Sequence, residues 1–80
     1  EIEWKEPALK QLEKLEKSVS SRIIKKVEDL KENLFYLDIK RLKGEEAFRL
    51  RVGDYRIIFE ISNNLISIHK VGHRQNIYKR

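Results

Sequence analysis

Ala47-Phe48-Arg49-Leu50-Arg51-Val52-Gly53-Asp54-Tyr55-Arg56-Ile57-Ile58-Phe59-Glu60-Ile61 places two alternating runs on either side of Gly53-Asp54. A two-residue connection of this composition favours a tight hairpin. Val52 is then expected to pair with Tyr55, and Arg51 with Arg56. Alternation assigns the faces: Phe48, Leu50, Val52, Tyr55, Ile57, Phe59 and Ile61 toward a core, and Arg49, Arg51, Arg56, Ile58 and Glu60 away from it. Like charges directly opposite on one face destabilise a sheet, against a typical worth of ~0.2–1 kcal/mol for a favourable cross-strand pair. Folding alone therefore gives no reason to face Arg51 with Arg56, whereas an anion held between them does. Arg49 lies on the same face and makes a third guanidinium, in a patch suited to forked binding of phosphate.

Downstream, Asn63-Asn64 reads as a second tight turn, since asparagine tolerates positive φ. It leads into a strand from Leu65 to Val71 that ends at Gly72, with Ile66 and Ile68 inward and Ser67 and His69 outward. Upstream, Ile2 to Trp4 is a short candidate strand, and Pro7 fits the first turn of a helix. Ala8, Leu9, Leu12 and Leu15 recur at helical spacing over residues 7–17. Ser18 reads as the N-cap of a second helix over 19–33, with Val19, Ile23, Ile24, Val27 and Leu30 on its apolar stripe. The short break between them predicts an antiparallel helical hairpin. Residues 34–46 show no clear period and read as a connector docked by Leu37, Ile39 and Leu42, with Lys40, Arg41 and Lys43 adding charge. The expected architecture is one two-layer α+β domain over residues 1–80: an N-terminal strand, a helical hairpin and a three-stranded antiparallel meander.

Eighty residues allow only a modest core, because a chain this short buries about 60% of its unfolded surface. The 18 Lys and Arg against 13 Asp and Glu give a formal charge of +5, which favours acidic partners such as nucleic acid or an acidic protein. With no cysteine there is neither a disulfide scaffold nor a thiolate metal site, and two His without ligand spacing point away from zinc, so no cofactor is expected. No apolar stretch approaches the ~20 residues of a membrane span, and an intracellular, cytoplasmic protein is the simplest reading.

The tail Val71-Gly72-His73-Arg74-Gln75-Asn76-Ile77-Tyr78-Lys79-Arg80 gathers His, Arg and Tyr next to a strand end. Leu50-Arg51-Val52-Gly53-Asp54-Tyr55-Arg56-Ile57-Ile58-Phe59, together with Val71-Gly72-His73-Arg74 and Ile77-Tyr78, resembles the RelE branch of the RelE/ParE superfamily of toxin-antitoxin toxins. Element order and length agree, so the resemblance covers nearly the whole chain. It implies a RelE-like domain that enters the ribosomal A site and cleaves messenger RNA there, held inactive by a cognate RelB-like antitoxin. The implied reaction is attack of a ribose 2′-hydroxyl on the adjacent phosphate, leaving a cyclic phosphate and a free 5′-hydroxyl, with no metal required.

By motif position, the resemblance implies that Arg56 and Arg74 are the family's phosphate-stabilising arginines and that Tyr78 is its base-stacking C-terminal tyrosine. Arg49, Arg51 and His73 fall where a well-studied member carries lysines. Arginine stays charged and is no ordinary general base, so Arg49 and Arg51 are expected to hold phosphate. His73 is then the expected base or acid, imidazole being the side chain suited to proton transfer at neutral pH. Each residue also has a plainer reading. A single Lys or Arg in so basic a chain is ordinarily a solvated surface residue, His73 could cap a strand end, and Tyr78 could anchor the tail through its ring. The alternatives to a nuclease are a ParE-like non-enzymatic inhibitor of DNA gyrase and an inactive nucleic-acid-binding relative.

Overall fold

The computed structural model describes residues 1–32, 38–42 and 47–73. Its elements, in chain order, are β1 (Ile2–Trp4), α1 (Glu6–Glu13), α2 (Lys17–Asp29), β2 (Asp38–Arg41), β3 (Phe48–Val52), β4 (Tyr55–Ser62) and β5 (Leu65–His73). The strands form one sheet in the order β1-β5-β4-β3-β2. β1 runs parallel to β5, and every other neighbouring pair is antiparallel.

Two features depart from the sequence reading. The connector contributes β2, so the meander has four strands and the sheet five. β2 pairs Ile39 with Leu50 and Lys40 with Arg49, and its charged residues hid it because an edge strand needs only one apolar contact to dock. The helices also begin and end earlier than their periodicity suggests. Glu16, not Ser18, precedes α2, and no side chain caps it; the Glu16 carbonyl accepts from the N–H groups of Val19 and Ser20.

Leucine, isoleucine and valine on one face of each helix cover one face of the sheet. Ala8 and Leu12 from α1, and Ile23 and Val27 from α2, are buried against Leu50, Val52, Ile57, Phe59, Ile66, Ile68 and Val71. Phe48 and Phe59 stack with ring centroids 5.5 Å apart, which fixes β3 on β4 from the core side. Ile61, expected inside, is 47% exposed. It pairs with the buried Ile66 at the end of the hairpin next to Asn63-Asn64.

The two hairpins use different turns. Gly53 has φ +60° while Asp54 stays outside the left-handed region, the pattern of a turn that demands glycine first. Asn63 and Asn64 have φ 51° and 67°, the doubly left-handed turn that asparagine tolerates.

Between Ile58 and Phe59 the β4–β5 register slips by one residue. Phe59 pairs with Ile68 but Ile58 pairs with Lys70, so His69 is the extra residue of a β-bulge. Because side chains alternate, one added residue reverses the faces of everything beyond it. Ile66, Ile68 and Val71 all reach the core in consequence, although Val71 stands at odd spacing from the other two.

Candidate anion-binding site

β3 and β4 carry the cations that the hairpin register brings together. Arg51 pairs with Arg56 and Val52 with Tyr55, as the sequence predicts. The row continues on both sides: Asp38 is the register partner of Arg51, and Gly72 that of Arg56. The next row along the same face is Lys40, Arg49, Ile58 and Lys70. Lys40 and Lys70 thus join the basic face, and only the pairing of β2 and the bulge in β5 reveal them.

Arg51 is exposed and Arg49 half-buried, but Arg56 is 8% exposed. Its Nε and Nη1 are shut off from solvent and have no hydrogen-bond partner among the described residues. Burying an ionised group without a partner costs several kcal/mol even after relaxation, so natural chains rarely keep one without a use. Delocalised charge and multiple donors make a guanidinium the side chain best matched to an oxyanion such as phosphate.

His73 does not join this cluster. It pairs with Tyr55 across the strands, and the two rings meet edge to face at 5.6 Å. Tyr55 packs against the core, so His73 stands on the helix-covered side of the sheet while Arg56 stands on the other. The bulge at His69 causes this: in unbroken alternation from Ser67 and His69, His73 would share the face of the arginines. β5 also lies inside the sheet, between β1 and β4, and not at an edge. Arg74 and Tyr78 lie outside the described residues. Among the described residues no group of His, Asp or Glu converges as a metal site, and no helix is long and apolar enough to cross a membrane.

Fold and site together define a small basic α+β domain whose sheet face away from the helices carries a buried arginine. The family model for the ParE toxin of the type II toxin-antitoxin system, parDE, matches residues 2–78. Toxin RelE3 of Methanocaldococcus jannaschii is 46% identical over 43 residues, 52% of this chain and 49% of that protein; the chain thus spans about half the length of this curated relative. Among solved structures, the RelB-RelE antitoxin-toxin complex from Methanococcus jannaschii matches with a TM-score of 0.78 at 30% identity, over 95% of this chain and 94% of that one. YafQ from E. coli matches in fold, with a TM-score of 0.80 at 14% identity over 99% and 98% of the two chains. The chain belongs to the RelE/ParE family of toxins from type II toxin-antitoxin systems.

Proposed function

We propose that this protein is a ribosome-dependent messenger RNA endonuclease, acting in the cytoplasm and neutralised by a cognate RelB-like antitoxin. The observation that carries the reading is Arg56, a buried guanidinium on the sheet face away from the helices, two of whose nitrogens have no partner among the described residues. In the proposed reaction the ribose 2′-hydroxyl attacks the adjacent phosphate and the 5′-oxygen leaves, giving a cyclic phosphate and a free 5′-hydroxyl. Charge grows on the phosphate oxygens as the fifth bond forms. A fixed cation in a water-excluded site stabilises that charge more in the transition state than in the ground state. Arg56 fills this role, with Arg74 as its proposed second cation and Tyr78 stacking on a base to orient the ribose.

Arg49 and Arg51 hold the message backbone on the same face. Proton transfer by His73 has geometry against it, because the ring packs on Tyr55 and not beside Arg56. The antitoxin is supported by the solved RelB-RelE complex that this chain resembles and by the +5 charge, which suits an acidic partner.

A second reading, a non-enzymatic inhibitor of DNA gyrase, draws on the family model, which bears the ParE name. Purified protein added to a translating extract separates the two when 5′ ends on the message are mapped and gyrase supercoiling is assayed in parallel. New 5′ ends within codons, lost in Arg56→Ala, support the nuclease. Intact message with blocked supercoiling overturns it.

A further inference from the structure

We infer that Gly72 is the entrance through which a phosphate of the RNA backbone reaches Arg56, an inference that rests on the nuclease reading above. Three observations converge on it. Gly72 is the cross-strand partner of Arg56, on the β5 side, while on the β3 side Arg56 faces the side chain of Arg51. Nε and Nη1 of Arg56 are closed to water, so an anion has to enter by displacing something, and Gly72 itself sets no side chain beside them. Nor does the backbone require glycine there: Gly53 has φ +60°, but Gly72 does not adopt a left-handed φ. Glycine inside a strand weakens it and marks a bulge, a tight bend or close approach by a ligand or another backbone; the bulge here falls at His69 and not at Gly72, which points to close approach.

The bulge at His69 is what delivers glycine to this position. If the register of Phe59 with Ile68 continued unbroken, Arg56 would face Val71, whose branched side chain would stand beside the guanidinium, and Lys70 would face Ile57 in the core row. With the bulge, Val71 turns to the core, Lys70 outward, and Gly72 meets Arg56. One inserted residue thus serves both packing and access.

The test is a titration of the full chain followed by NMR of its arginine Nε–H groups, with the Arg56 signal assigned from its loss in Arg56→Lys. The probes are inorganic phosphate and a short RNA whose 2′-hydroxyls are methylated so that it cannot be cut. In the wild type both move the Arg56 signal, the RNA at a concentration at least tenfold lower. In Gly72→Val the affinity for both falls at least tenfold and in Gly72→Ala by less, while the thermal midpoint of each variant equals or exceeds that of the wild type. Unchanged affinity in Gly72→Val overturns the entrance and leaves the anion site standing. Loss of cooperative unfolding in both variants also overturns it, since glycine is then a packing requirement. A wild-type signal that moves with phosphate alone removes RNA as the occupant, and one that moves with neither probe removes the anion site itself.

Discussion

The side-chain oxygen of Gln11 accepts a hydrogen bond from the backbone N–H of Val71 at 2.7 Å, tying α1 to β5 at a point that β1 does not reach. β1 makes its last backbone bond through the N–H of Lys5 to the carbonyl of Ile68. Beyond it the β5 edge would have an unmet donor, and Gln11 supplies the missing acceptor. Gln11→Leu is expected to lower stability by about 1 kcal/mol, the net worth of a part-exposed hydrogen bond, and Gln11→Glu by less, because a carboxylate still accepts. Urea unfolding of both variants measures this, and equal loss in the two would show that the bond contributes nothing.

Arg56→Met should separate folding from function with opposite signs. Replacing a buried cation, two of whose nitrogens have no partner among the described residues, with an apolar side chain of similar length is expected to stabilise the domain by about 1–4 kcal/mol. Cleavage on saturated ribosomes should fall by about 100-fold or more, the scale of removing one transition-state donor. A variant that is both less stable and fully active would show that Arg56 is structural.

His73→Gln is expected to leave single-turnover cleavage within about threefold of the wild type, because the ring lies on the Tyr55 side of the sheet. A pH–rate profile of this variant matching the wild type completes the test. Loss of the profile's neutral limb would return proton transfer to His73.

Gly53→Ala should cost about 1–3 kcal/mol, since a side chain at φ +60° is strained in this turn. An added Cβ would also stand 3.3 Å from Nη1 of Arg22, whose flexible end can give way. The turn strain therefore decides the sign. Thermal unfolding of Gly53→Ala beside Arg22→Ala/Gly53→Ala checks this, the second substitution recovering little.

The hairpin was the most legible part of the fold. Alternation across Gly53-Asp54 is a local signal, and it gave the pairing of Arg51 with Arg56 that the structure has. β2 was not legible because Asp38-Ile39-Lys40-Arg41 offers one apolar residue and no period, and its docking depends on Leu50 in a distant strand. The same limit hid the site's depth. Arg56 alternates like an outward residue, and nothing local in the sequence says that its Nε and Nη1 are closed to water. The side of the sheet that His73 takes was not legible either, since a bulge leaves no mark in composition and shows only in the register between two strands.

The parallel ladder of β1 on β5, with Ile2 beside Ile66 and Trp4 beside Ile68, also sets the order of assembly. The hairpins β3–β4 and β4–β5 join neighbours in sequence and can close early, whereas β1 waits for a partner at the other end of the described chain. During synthesis the sheet stays open on that side until β5 has left the exit tunnel, and Gly72 and the bulge are among the last described residues to emerge. A nascent chain therefore completes the surroundings of Arg56 only when nearly all of the described sequence has left the tunnel, so the finished site appears after the hairpin that carries its cations.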